Sequence, residues 1–174
     1  ILRQMNRPES PELIREKLEL VRSIVPEIVL RTTFIAGFPT ETDAEFEELV
    51  QFVTEGRFEH VGVFAYSREE QTKAYDLEPQ VATAVKESRR NRLMEVQAEI
   101  APKLLARFVN CRQRILVDKL LSGGKAVGRT EGLAPDVDGV VYLQNYQGQS
   151  GQFVEGLITG NDHYNLYAKE ILGE

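Results

Sequence analysis

The 174-residue chain reads as an α/β protein that ends in a small β-barrel, and three observations predict this. Residues 1–66 run helix, strand, helix, strand with short connectors, the pattern of parallel α/β units. The stretches 29–37 and 61–66 are rich in β-branched and aromatic residues and lack a clean polar alternation, the texture of strands covered on both faces. After Asn110, five short apolar stretches punctuated by glycine turns follow one another within about sixty residues, the texture of a small antiparallel barrel of OB type.

Ser10 followed by Pro11 is a helix start, with serine as cap and proline at the first helical position. Ile14, Leu18, Val21 and Val25 then recur at helical spacing, and Pro26 closes the helix. The strand at 29–37 follows, stopped by Pro39. Thr42 with Glu45 three residues later is a capping box, so a second helix spans 42–55 with Phe46, Leu49, Val50 and Val53 on its buried face. Asp43, Glu45, Glu47 and Glu48 crowd the first half of that helix. They are scattered around it, which reads as a solvated, dipole-matched helix start rather than a metal site. Gly56 ends it, and 61–66 is the second strand. Two such units are too few to close a sheet, so this segment reads as part of a larger α/β sheet or barrel. A polar loop at 67–79 leaves the carboxyl end of the second strand. A long charged helix begins near Thr83, with an interruption or kink at Pro102 and a continuation toward Val109. The barrel strands are expected at 114–121, 125–130, 138–143, 152–159 and 164–171, with a domain boundary near residues 110–112.

Bulk composition narrows the functional classes. With 42% hydrophobic and 28% charged residues the chain is ordinary for a globular protein. No apolar run is long enough to span a membrane. The net charge of −6 opposes nucleic-acid binding through bulk electrostatics and suits a basic partner. The single cysteine, Cys111, excludes an intrachain disulfide and any multi-cysteine metal site, and points to the cytoplasm. It is expected to be a small buried apolar residue at the domain junction. His60 and His163 lie far apart with no local ligand partners, so no zinc site is expected. The start, Ile1-Leu-Arg-Gln-Met, is neither a signal peptide nor an initiator methionine and reads as the interior of a longer protein.

Ligands of α/β folds sit at the carboxyl ends of parallel strands. Gly37 is therefore the first place to seek a small-molecule site. The alternative reading is that Ile35 is core and Gly37 only a turn residue.

Four segments carry a family resemblance. Leu30-Arg-Thr-Thr-Phe-Ile-Ala-Gly-Phe-Pro-Thr-Glu-Thr42 is similar to a strand-turn of the radical S-adenosylmethionine methylthiotransferases. Leu2-Arg-Gln-Met-Asn-Arg-Pro8 resembles the loop leading into it, and Val61-Gly-Val-Phe-Ala-Tyr-Ser67 resembles the last barrel strand. Gly128-Arg-Thr-Glu-Gly-Leu-Ala-Pro-Asp-Val-Asp-Gly-Val-Val-Tyr142 resembles the signature of the C-terminal TRAM domain in the RimO-like branch. That branch methylthiolates an aspartate of the twelfth small-subunit ribosomal protein. The resemblance implies a fold made of the C-terminal part of a partial, TIM-like radical S-adenosylmethionine barrel (residues 1–82), a helical connector (83–110) and an antiparallel five-stranded TRAM barrel (111–174).

The resemblance also implies chemistry. S-adenosylmethionine would be bound by Arg31, Thr33, Ile35, Gly37, Tyr66 and Ser67. Arg31 would pair with its carboxylate, and Tyr66 and Ser67 would meet the adenine edge. Arg129, Glu131, Asp136 and Asp138 would touch a basic ribosomal protein, although Asp136 and Asp138 also read as plain turn residues. Two [4Fe–4S] clusters belong to the full-length enzymes. One cysteine cannot ligate either, so no catalytic residue and no metal ligand is assigned to this chain, and alone it is expected to be inactive. The remainder of the same enzyme is then a partner. Thr40 and Gln71 depart from the family, standing where glycine is usual.

The rival branch, MiaB-like, modifies an adenosine of transfer RNA, and a third reading is a non-enzymatic TRAM binding module. From Arg112 onward there are eight Asp/Glu against six Lys/Arg, a net of −2. That charge disfavours transfer RNA and favours a basic protein. Tyr142, Tyr146, Tyr164 and Tyr167 read as barrel packing rather than base-stacking platforms.

Overall fold

The computed structural model describes residues 1–171. It divides into two compact units, Ile1–Gln97 and Ala98–Glu174. The first contains α1 (Pro11–Ile24), β1 (Arg31–Ala36), α2 (Asp43–Gly56) and β2 (His60–Ala65), then a 3-10 turn at Lys73–Asp76. The division falls inside α3 (Thr83–Leu105).

The local signals act as their chemistry dictates. Ser10 Oγ accepts the Leu13 N–H at 3.2 Å, and Pro11 occupies the first turn of α1. Thr42 and Glu45 form the reciprocal capping box of α2. Three of the four acidic residues in the first half of α2 are paired: Asp43 to Arg89 at 2.6 Å, Glu45 to the cap, and Glu47 to Arg92 at 2.6 and 2.9 Å.

β1 and β2 run parallel in the register Arg31↔His60 through Ala36↔Ala65. Thr32, Phe34 and Ala36 share one face, and Phe34 meets Phe52 of α2 and Phe58 edge-on at 6.1 Å each. The expectation of strands covered on both faces is corrected. Arg31, Thr33 and Ile35 are exposed on the other face, as is Phe64 at 64%. Burial therefore alternates along β1, whereas β2 begins with two buried neighbours, His60 and Val61. α1 is likewise less covered than its periodicity implies. None of its residues is buried, and Val21 and Val25 are exposed.

α3 passes through Pro102 and ends at Leu105, where it tightens to a 3-10 turn at Ala106–Phe108. The Pro102 carbonyl accepts a hydrogen bond from Asn161 Nδ2 at 2.9 Å. Leu105, at the end of α3, belongs to the barrel core. This is why the second compact unit begins inside the helix rather than at its end.

The second unit holds β3 (Arg112–Leu121), β4 (Lys125–Arg129), β5 (Val141–Gln144), β6 (Phe153–Asn161) and β7 (Leu166–Glu170). They close in the order β3-β4-β5-β7-β6. Ile115, Val117, Ala126, Val141, Leu143, Ile158, Leu166 and Ala168 point inward from alternating positions and are essentially inaccessible. The expectation of an antiparallel barrel needs one correction: β5 and β7 pair in parallel, from Val141↔Leu166 to Gln144↔Lys169. A closed ring of five strands cannot alternate direction throughout, so one neighbouring pair must be parallel. Tyr146 is core, as its packing role requires, and Tyr142 stacks on Tyr167 with ring centroids 5.6 Å apart across that parallel pair. Cys111 is exposed, not buried as expected. It sits where the chain enters β3 after Asn110 at φ +68°, and its Sγ donates to the Arg107 carbonyl at 3.4 Å.

Candidate functional sites

The first candidate lies at the carboxyl ends of β1 and β2. Gly37 follows β1 at φ +74° and donates its N–H to Glu41 Oε1 at 2.9 Å. A β-carbon there would stand 2.5 Å from Lys86 Cγ, so the missing side chain makes room for α3. Glu41, with a side chain only 4% exposed, is held by Arg89 of α3, which donates to its Oε1 at 2.7 Å and to its carbonyl at 3.0 Å. Tyr66 continues β2, donating its N–H to the Ala36 carbonyl at 2.9 Å, and its ring packs edge-on against Phe38. Its hydroxyl is buried with no hydrogen-bond partner among the described residues. Ser67 is exposed and donates to Glu69 Oε1 at 2.6 Å.

Of the residues singled out from sequence, Gly37, Tyr66 and Ser67 meet at this end, and Ile35 lies just before it on the open face. Arg31 opens β1, so it stands at the opposite end, roughly 20 Å from Gly37 at strand rise. Thr33 lies between, on the same open face as Arg31 and Ile35. His60, paired with Arg31, is 5% exposed. Burial, and secondarily the Arg31 charge, lowers its pKa to about 4, so it is neutral at physiological pH. Glu41, Lys86 and Arg89 carry the architecture of this turn and have no local sequence signature, because the contacts join positions more than forty residues apart.

The second candidate is on the barrel. A shallow groove of about 260 Å³ is lined by residues that include Asp118, Val127, Arg129, Pro135, Asp136 and Asp138. Arg129 donates to Asp118 at 2.5 Å, and Asp138 Oδ2 accepts the Ala134 N–H at 2.8 Å, bracing the loop. Asp136 takes φ +61° and is exposed. Gly139 sits against the Tyr164 carbonyl so closely that no β-carbon fits, and Val140 N–H donates to Asn165 Oδ1 at 3.0 Å. Asn165 in turn donates to Asp162, whose carboxyl is held below its usual range chiefly by the Tyr167 hydroxyl at 2.6 Å. Arg129, Asp136 and Asp138 are thus brought together, while exposed Glu131 does not line the groove. Asp118, which the sequence did not flag, does. The groove carries three carboxylates against one guanidinium.

The described residues contain no group of His, Cys, Asp and Glu able to hold a metal ion, and no helix among them is long and apolar enough to cross a membrane.

The family comparison decides what the barrel is. Residues 109–171 match the TRAM domain family. The barrel is a TRAM domain. The whole chain is similar to ribosomal protein uS12 methylthiotransferase RimO. It is 42% identical to the protein of Legionella pneumophila (strain Lens) over 169 residues, covering 97% of this chain and 39% of that protein. It is 45% identical to that of Thermosynechococcus vestitus over 168 residues, covering 96% and 37%. With the protein of Herminiimonas arsenicoxydans it shares 40% identity over 174 residues, covering 97% and 38%. The chain is homologous to the C-terminal region of these proteins, TRAM domain included, and spans about two fifths of their length.

Proposed function

We propose that this chain is the C-terminal part of a cytoplasmic uS12 methylthiotransferase that uses S-adenosylmethionine to methylthiolate an aspartate β-carbon. The observation that carries the reading is the 42% identity to RimO across 97% of the chain, both compact units included. Residues 1–82 supply the closing strands of the catalytic barrel, 83–110 a helical connector, and 111–174 the TRAM domain that engages the substrate protein.

S-adenosylmethionine, when bound to a reduced iron–sulfur cluster, supplies the radical chemistry. This chain's residues fit the organic cofactor and not the cluster. Fit to the cofactor rests on the open face of β1 and β2, with Ile35 43% and Phe64 64% exposed, and on the buried, unpartnered Tyr66 hydroxyl of the residue that follows β2. An adenine ring needs such an apolar wall and a polar edge. The assigned contacts are Ile35, Gly37, Tyr66 and Ser67 around the nucleoside, with Thr33 and Arg31 further down the same face. The single exposed Cys111 cannot hold either of the two [4Fe–4S] clusters, whose ligands must come from elsewhere in the enzyme.

On the TRAM domain the acidic groove attracts a basic ribosomal protein and repels transfer RNA. Arg129, Asp136 and Asp138 contact uS12 there, with Glu131 on the neighbouring rim. The deciding experiment is mass spectrometry of uS12 from cells lacking the gene for the full-length protein. Loss of the methylthio group from its aspartate is expected, and an unchanged modification overturns the proposal.

A further inference from the structure

We propose that Lys86 is the carboxylate-binding residue of the site at the carboxyl ends of β1 and β2. Nothing in the local sequence marks it, and it lies outside the strands that carry the rest of the site. Its side chain is placed by two contacts. The stem passes over Gly37 where a β-carbon would otherwise be, and the ammonium lies 4.8 Å from the centre of the Tyr66 ring.

The residue is only 9% exposed, yet among the described residues its ammonium forms no ion pair and no hydrogen bond. The carboxylates that brace this turn are already committed. Glu41 is bonded to Arg89 and to the Gly37 N–H, and Asp43 also pairs with Arg89. The face of a tyrosine answers an ammonium only in part, and no carboxylate among the described residues completes it. The group is therefore poised for an incoming anion. Its place, at the carboxyl ends of parallel strands and beside a buried, unpartnered tyrosine hydroxyl, is where ligands of such folds bind. Arg31, the other cation considered for this task, stands at the far end of β1.

This inference rests on the function proposed above, which offers two carboxylates: that of the methionyl part of S-adenosylmethionine and that of the target aspartate. Both are tested in the full-length protein that carries this chain. Lys86→Met keeps the apolar stem over Gly37 and removes the charge, and Lys86→Arg keeps a charge. Equilibrium binding is measured for S-adenosylmethionine, for decarboxylated S-adenosylmethionine, and for uS12-derived peptides bearing aspartate or asparagine at the target position.

A cofactor carboxylate predicts that Lys86→Met weakens S-adenosylmethionine by about tenfold or more and leaves the decarboxylated analogue unchanged, with partial recovery in Lys86→Arg. A substrate carboxylate predicts the same selective loss for the aspartate peptide over the asparagine peptide. Parallel losses within each pair, or none, overturn the role of Lys86 while leaving the proposed function standing. A wild-type protein that binds neither S-adenosylmethionine nor the peptide overturns the proposed function, and this inference with it.

Discussion

Thr40 takes φ +71° and Gln71 takes φ +67°. These are the two positions where the family resemblance leads one to expect glycine, and both take the left-handed backbone that glycine adopts without cost. For an L-residue that conformation costs roughly 1–2 kcal/mol, and a β-branched side chain suffers most. The turn holds Thr40 in place through its N–H to the Pro79 carbonyl at 2.9 Å and its hydroxyl to Gln4 at 2.9 Å. Thr40→Gly is expected to stabilise the chain by about 1 kcal/mol after the added entropy of the unfolded state is deducted. Urea unfolding should show a higher midpoint at an unchanged slope. His60 gives a pH signature. Its pKa falls from 6.5 to about 4 on folding, chiefly through burial. Between those values the unfolded chain takes up a proton that the folded chain refuses. The associated stability is full above pH 6.5 and is lost as pH falls toward 4, by up to roughly 3 kcal/mol. His60→Gln should flatten the urea midpoint across that window.

At the scale of elements, the turn after β1 is held by α3, and the link is the Glu41–Arg89 pair with side chains 4% and 8% exposed. Removing one partner leaves the other charge buried alone. Arg89→Met is therefore expected to cost about 3–5 kcal/mol. Glu41→Gln with Arg89→Met should cost much less than the sum of the single changes, because the two act as a unit. A double-mutant cycle in urea measures the coupling, and additive losses would refute the pairing. The pair also shows why the sequence was readable only in part. Ser10, Thr42 and Glu45 announce helix starts because their partners lie within three residues. The glycine turn Ser122-Gly-Gly124 announces a hairpin for the same reason. Glu41 and Arg89 are 48 residues apart, and Lys86 is equally remote in sequence from the Gly37 it covers, so no local pattern betrays them. Arg129, Asp136 and Asp138 were legible through their motif. Asp118 was not: the hairpin sets β3 beside β4, but the register shift between Val117 and Lys119 decides which residue of β3 meets Arg129.

For the whole molecule, the distribution of apolar surface separates the two units. In Ala98–Glu174 the five described strands close into a ring, and the core is filled from alternating positions of all five together with Leu105. In Ile1–Gln97 the sheet has two strands, and Ile35, Phe64, Leu20 and Ile24 are 43%, 64%, 57% and 69% exposed. Two parallel strands covered on one face make a poor independent core, because parallel sheets are stable when both faces are buried. Residues 98–174 expressed alone should therefore fold, with one cooperative transition and a stability of roughly 4–10 kcal/mol for a unit of this size. Starting at Ala98 rather than at Asn110 matters, because it retains Leu105 and the Pro102 carbonyl that accepts from Asn161. A version beginning at residue 110 should unfold at lower urea. Residues 1–97 alone should bind a hydrophobic dye and melt without a sharp transition. Circular dichroism and dye fluorescence on the three pieces check this. A sharply melting 1–97 that excludes the dye would show that the open face of β1 and β2 needs no covering layer, and would weaken its assignment as the wall of a larger barrel.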